Sequence, residues 1–164
     1  MIEHKNRLIQ NIKINKNLKI EYCEALDFDY ILNQFVLLVK KYEDLSLINP
    51  ESVFEWKSNK LKSQVVQVYS KVIYNSVFAG VFALKDKDNY YELDDFYITE
   101  SLRNMGIGSE ILRHIIDFSK NKKKNIHLCV FKNNLNAIRL YGKFGFIVYE
   151  DLGTRIMMKT NFFD

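Results

Sequence analysis

Leu93-Asp94-Asp95-Phe96-Tyr97-Ile98-Thr99-Glu100-Ser101-Leu102-Arg103-Asn104-Met105-Gly106-Ile107-Gly108-Ser109 decides the fold. Phe96, Tyr97 and Ile98 are strand formers, and Thr99, Glu100 and Ser101 break the run. From Ile107 the apolar residues fall at Ile111, Leu112, Ile115 and Phe118, which is helical spacing. Strand and helix are joined by Arg103-x-x-Gly106-x-Gly108. Such a junction binds anions. The first turn of a helix carries N–H groups without intrahelical partners, and the macrodipole adds partial positive charge there. Two glycines let a diphosphate come close to the backbone, and Arg103 adds a fork of charged donors.

Two familiar phosphate motifs fail on inspection. A P-loop needs Gly-Lys-Ser/Thr, whereas Gly108 is followed by Ser109 and Glu110. The dinucleotide fingerprint needs Gly or Ala at position 111, which is Ile. The surviving pattern, Arg/Gln-x-x-Gly-x-Gly/Ala, resembles motif A of the GNAT superfamily of N-acetyltransferases, which binds the pyrophosphate of acetyl-coenzyme A. Downstream, Asn134-x-x-Ala137-x-x-Leu140-Tyr141-x-Lys143-Phe144-Gly145-Phe146 resembles motif B of the same superfamily. Two motifs in the right order carry more than either alone. The departures are Gly142, where the family usually has Glu, and Met105, where Lys is common. The resemblance implies an α/β fold with a mixed central sheet flanked by helices on both faces.

Composition sets outer bounds. A chain of 164 residues, 48% hydrophobic and 27% charged, is expected to be one domain with a sizeable core. The net charge of +4 is mild. Much of the excess sits in Lys120, Lys122, Lys123 and Lys124, a run that suits a helix C-terminus better than a nucleic-acid patch. Neither a signal-type run nor a segment of transmembrane length is present, so the default expectation is a soluble cytoplasmic protein without membrane or nucleic-acid partners. Cys23 and Cys129 lie in apolar strand-like runs and are expected as packed thiols, with no metal spacing.

In chain order, Met1 to Asn17 reads as a partly ordered lead-in, and Leu18 to Glu24 alternates as a first strand. Phe28 to Tyr42 carries a broad apolar face and is a helix. Asn49-Pro50 opens a second helix running to about Leu61, with Val53, Trp56 and Leu61 on its buried side. Val65–Tyr74, Phe78–Lys85 and Tyr90–Ile98 form an antiparallel meander. The helix from Ile107 ends near Asn121. The strand Ile126–Phe131 follows it by a crossover, parallel to Tyr90–Ile98. Asn134–Phe144 is the last helix, ended by Gly145. Phe146–Glu150 and Thr154–Lys159 close the chain as a hairpin.

The resemblance also implies a mechanism. Acetyl-coenzyme A, the co-substrate, would lie where the strand ending at Ile98 splays from Ile126–Phe131, with a bulge near Asp95–Phe96 causing the splay. Backbone at Phe96 and Ile98 would bond the pantetheine arm. The loop Arg103, Asn104, Met105, Gly106, Ile107, Gly108 and Ser109 would hold the pyrophosphate. Asn134, Ala137, Tyr141 and Lys143 would meet the cofactor from the last helix. A neutral amine attacks the thioester directly, and Tyr141 matches the family's general acid for the departing thiolate. For the base, Glu92, Asp94 and Asp95 stand together, and clustered carboxylates are expected to raise one another's pKa. Glu92 is six residues before Ile98, matching the catalytic glutamate of the histone acetyltransferase branch. Asp94-Asp95-Phe96-Tyr97-Ile98 resembles the Glu-Asp-x-Tyr-Val of polyamine acetyltransferases. Glu92, or Asp94 acting through a water, is the expected base. His114 and His127 are expected on outer faces, and Cys129 as a core thiol. The acidic strand favours a small cationic amine as acceptor. A protein N-terminus or lysine is the competing class, and a coenzyme A-binding module without turnover is the alternative. A homodimer is compatible with the family.

Overall fold

A computed structural model describes residues 8, 9 and 11–163. Its eight strands form one mixed sheet in the order β1-β2-β3-β4-β5-β6-β8-β7. They are β1 (Ile12–Lys13), β2 (Leu18–Tyr22), β3 (Tyr69–Tyr74), β4 (Val77–Asp86), β5 (Tyr90–Ile98), β6 (Asn125–Phe131), β7 (Ile147–Asp151) and β8 (Arg155–Lys159). Neighbours pair antiparallel except β5 and β6, which are parallel and joined by a helical crossover. The lead-in read over Met1–Asn17 lies partly outside the described residues; its described part contributes β1, which pairs with β2.

Helices cover both faces. On one, α1 (Phe28–Tyr42) and α2 (Pro50–Val68) bury Ile31, Leu61 and Val65 against Tyr69, Val81, Ala83 and Tyr97. On the other, α3 (Ile107–Asn121) and α4 (Leu135–Lys143) bury Ile111, Leu112, Ile115 and Tyr141 against Phe82, Leu84, Leu93 and Leu128. Strand β4 serves both cores by simple alternation: Val81 and Ala83 face α2, Phe82 and Leu84 face α3. No helix among the described residues is long and apolar enough to cross a membrane.

Two expectations need correction. The second helix does not stop near Leu61 but runs to Val68, so the following strand starts at Tyr69 rather than Val65. Its buried stripe is Lys57, Leu61 and Val65, at i, i+4 and i+8, and it continues past the point where β-branched residues suggest a strand. Packing on the sheet overrides local propensity here. Trp56, expected inside, is 56% exposed, whereas Lys57 beside it is 2% exposed. The closing hairpin forms, but its second strand β8 pairs with β6 and its first strand β7 lies at the edge with all five residues exposed.

Candidate active site

The site begins with a defect in β5. Val81 pairs with Tyr97 and Ala83 with Asp94, so Asp95 and Phe96 stand opposite the single residue Phe82. This is a β-bulge, at the position that the family resemblance implies. Asp95 is its left-handed residue, with φ 48°. The bulge inverts the alternation of the strand. Before it, Tyr91 and Leu93 belong to the α3-side core; after it, Tyr97 belongs to the α2-side core. Asp94 and Asp95, although consecutive, therefore both turn toward α2, where each makes an ion pair with a lysine of that helix. The Asp95 N–H donates to Asp94 Oδ1 at 3.0 Å.

The parallel pairing of β5 with β6 ends at Leu93 and Leu128. Beyond that point the strands diverge and leave a wedge lined by Asp94–Phe96 on one side and Cys129–Phe131 on the other. The cavity there is about 340 Å³, with Asn134, Ala137 and Tyr141 of the α4 segment on its wall. Peptide groups of two unpaired strand edges face such a wedge, and an extended amide chain can add to them as a strand would. Asn134 caps α4, its Oδ1 accepting the Ala137 N–H at 3.2 Å. Tyr141 is 7% exposed and packs against Phe96 and Phe146. Among the described residues nothing hydrogen-bonds its hydroxyl. Burial, helped by Asp94, pushes this phenol well above the ordinary tyrosine value. Tyr141 thus stays protonated and has a proton to give.

Past Ile98 the chain makes the turn read in the sequence. Asn104 and Gly106 both take left-handed conformations, with φ of 61° and 79°. Successive turns of this kind aim backbone N–H groups into a concavity. Gly106 is the N-cap of α3, and nothing lies within 4 Å of where its side chain would be. A side-chain carbon on Gly108 would meet Ile98, Leu140 and Phe96 at ordinary van der Waals distance. Ile107 is buried, Ser109 half-buried, Asn104 and Met105 exposed. The anion end of the helix is therefore open. Arg103 is placed differently from the expected fork: its Nε donates to the Ile98 carbonyl at 2.9 Å and its guanidinium lies 5.0 Å from the Tyr97 ring. It braces the end of β5 and lines a groove beside α1. Lys143 is exposed at the end of α4 and does not line the wedge.

The carboxylates were expected to raise one another's pKa, and for Asp94 the structure overturns this. Lysines are interleaved with the acids. Asp94 Oδ2 accepts from Lys85 Nζ at 2.9 Å, with Lys60 at 3.8 Å. Burial pulls the Asp94 carboxyl upward, but Lys85, Lys57 and Lys60 more than offset it and hold it below the ordinary range. Glu92 lines the same cavity, with Lys85 at 3.8 Å and Lys87 at 3.9 Å. Asp95 is bonded to Lys57 and to the Tyr69 hydroxyl. Cys129, expected in the core, is exposed and lines the wedge, because β6 no longer has β5 beside it there. His127 stacks on Tyr90 at 4.0 Å and bonds Tyr149, away from the cavity.

Sequence reasoning missed the cations. Lys57 carried a readable signal, a lysine in step with Leu61 and Val65 on a buried stripe. Arg155 had none. Its guanidinium reaches Glu43 at 3.2 Å and lies 4.4 Å from the Phe131 ring, tying the end of α1 to β8 across the cavity.

The acetyltransferase (GNAT) family model matches residues 34–146. A spermine/spermidine N(1)-acetyltransferase of Bacillus subtilis is 38% identical over 88 residues, 49% of this chain and 58% of that protein. The chain thus matches little more than half the length of this curated relative. The crystal structure of a PaiA N-acetyltransferase from Thermoplasma acidophilum, in complex with coenzyme A, superposes with a TM-score of 0.69 at 19% identity, covering 88% of this chain and 99% of that one. A GNAT-family acetyltransferase from Staphylococcus aureus gives 0.65 at 18% identity, over 88% and 98%. The two structural likenesses share the fold: a bulged β5, a wedge beside β6 and a glycine turn opening a helix are held on a scaffold common to these proteins. With the family model spanning all three features, the chain belongs to the GNAT family of acetyltransferases.

Proposed function

We propose that the protein is an N-acetyltransferase that moves an acetyl group from acetyl-coenzyme A to a primary amine within a ternary complex. The observation that carries this reading is the Tyr141 hydroxyl, protonated and without a hydrogen-bond partner among the described residues, on the wall of a wedge whose lining residue Phe96 neighbours Gly108 in the open first turn of α3. The backbone from Asn104 to Ser109 receives the diphosphate. The exposed edges of β5 and β6 hold the amide-bearing arm. The reactive carbonyl then lies near the bulge, where a peptide N–H can stabilise the developing oxyanion.

The amine enters from the side covered by α1 and α2. It must lose a proton before it attacks, because an ammonium has no lone pair. Asp94, held ionised by its lysines, serves to attract and orient the ammonium. Glu92, on the same face, takes the proton through a water. Nitrogen adds to the carbonyl and, now cationic, releases its second proton to solvent; the carbon–sulfur bond breaks, and Tyr141 passes its proton to the departing sulfur. The phenolate is reprotonated from solvent as the products leave.

A small cationic amine is the acceptor class we favour. Glu92 and Asp94 supply the carboxylates that face the acceptor, and the B. subtilis relative is named for spermine and spermidine. Thiol release from acetyl-coenzyme A, measured with diamines, polyamines, aminoglycosides and amine-terminated peptides, tests the reading. Release with polyamines above all supports it. Release confined to peptides moves the acceptor to protein amines. Cofactor binding without release for any amine makes the chain a binding module.

A further inference from the structure

The left-handed residue of the bulge is not a glycine. Asp95 holds φ 48°, a conformation that costs a non-glycine residue about 1 kcal/mol or more unless its surroundings enforce it. The enforcing groups come from three elements. Lys57 of α2 bonds Asp95 Oδ2, the Tyr69 hydroxyl at the start of β3 donates to the same oxygen, and Lys57 Nζ stands 3.4 Å from that hydroxyl. Lys57 is 2% exposed and Tyr69 fully buried. The Phe35 ring of α1 lies 4.7 Å from the Lys57 ammonium. An ammonium is not buried in this way to add stability, because desolvation cancels most of the Coulomb gain. What a satisfied buried network gives is one fixed geometry. The geometry fixed here is that of the bulge, whose next residue, Phe96, lines the wedge and packs on Tyr141.

We infer that Lys57, Tyr69 and Asp95 form a positioning cluster that locks the β5 bulge, so that the Phe96 peptide is held at the acetyl group while the acceptor-side helices are registered to it. The inference rests on the acetyl-transfer reading for its catalytic consequence. None of the three acts on the substrate; they act through the backbone between Asp94 and Phe96.

The test uses Lys57→Met, alone and combined with Asp95→Gly or Asp95→Ala, with Tyr69→Phe as the mildest variant. Glycine enters the left-handed region freely and alanine does not. Lys57→Met should lower kcat roughly 10- to 100-fold, the loss expected when reacting groups shift by about an ångström. KM for acetyl-coenzyme A should stay within about twofold, since the diphosphate loop is untouched. Adding Asp95→Gly should recover kcat, and adding Asp95→Ala should not, with all values taken on protein shown folded by circular dichroism. The amide resonances of Phe96 and Tyr97 give a second readout that needs no turnover: they should move in Lys57→Met and return in the glycine double variant. If Lys57→Met does not fold, Tyr69→Phe should still move the Phe96 amide and lower kcat. Unmoved amides in whichever of the two folds, or equal kcat in the glycine and alanine doubles, overturn the cluster. Amides that behave as stated in a protein inactive toward every amine leave the lock standing and overturn only the acetyl-transfer reading.

Discussion

The Tyr141 ring stands 6.5 Å from the Phe96 ring, centroid to centroid, with the planes 45° apart. One residue ends the bulge and the other is the candidate proton donor, so the contact joins the two halves of the chemistry. Tyr141→Phe keeps this packing and removes only a hydroxyl that has no hydrogen-bond partner among the described residues. Turnover should fall about 100-fold or more, the usual contribution of a general acid. Stability should change by less than ~1 kcal/mol, because no buried hydrogen bond is lost. Steady-state rates and urea midpoints, measured on the same preparations, check both halves. A loss of turnover accompanied by an equal loss of stability would make Tyr141 a packing residue only.

Asp94 and Lys85 give a prediction in pH. The Asp94 carboxyl is held below its ordinary value of 3.8 in the folded protein. A depressed carboxylate contributes stability that is fully present above the unfolded value and is lost as pH falls through the folded one. Lys85→Met removes the 2.9 Å partner and should cost about 1 kcal/mol at pH 7, since Asp94 is partly exposed and partly screened. The difference between the two proteins should shrink below pH 3.8 and vanish as Asp94 protonates in both. Urea denaturation at pH 7, 5 and 3 reads it. A difference that stays constant with pH would mean that Lys85 acts by packing.

Most of the fold was legible because its elements carry strong local signals. The helix Phe28–Tyr42, the helix ending at Asn121 and the parallel β5–β6 pair all stand where periodicity and crossover geometry put them. The glycine turn was legible as a motif, and the bulge only through the family resemblance that the motifs carry. What was not legible depends on contacts distant in sequence. The stripe of α2 continues through Val65 because the sheet beneath it accepts valine on a helix, and a 19-residue helix cannot be bounded by β-branched residues alone. The charge state of Asp94 depends on Lys57, Lys60 and Lys85, which reach it from α2 and β4, and no spacing within β5 announces them. Cys129 reads as a core residue because its neighbours Leu128 and Val130 are apolar; the strand that would cover it has already turned away.

Ser109 is the third residue of α3 and sits at the open anion end. Ser109→Glu places a negative charge where a helix favours one, so the fold should be as stable as before or slightly more so. The same charge should repel the diphosphate and raise KM for acetyl-coenzyme A about tenfold, with KM for the amine nearly unchanged. Calorimetric titration with coenzyme A, alongside thermal melts, separates the two effects. Undiminished coenzyme A binding would show that the diphosphate lies elsewhere.

Gly80 and Gly142 should respond in opposite directions to the same substitution. A side chain on Gly80 would lie 2.3 Å from the Tyr97 carbonyl oxygen and 2.8 Å from the Ile98 side chain, so β4 and β5 would have to separate just where β5 approaches the glycine turn. Gly80→Ala should cost roughly 2–3 kcal/mol, the range for forced overpacking, and should weaken coenzyme A binding by displacing Ile98. Gly142 lies inside α4 with nothing within 4 Å of its missing side chain and no left-handed φ. Gly142→Ala should raise stability by about 1 kcal/mol through helix propensity alone, with turnover unchanged unless motion of α4 limits product release. Urea midpoints for the pair give the signs directly. A destabilised Gly142→Ala would mean that α4 needs the freedom of that glycine next to Tyr141, and the helix carrying the proton donor would then be a moving part.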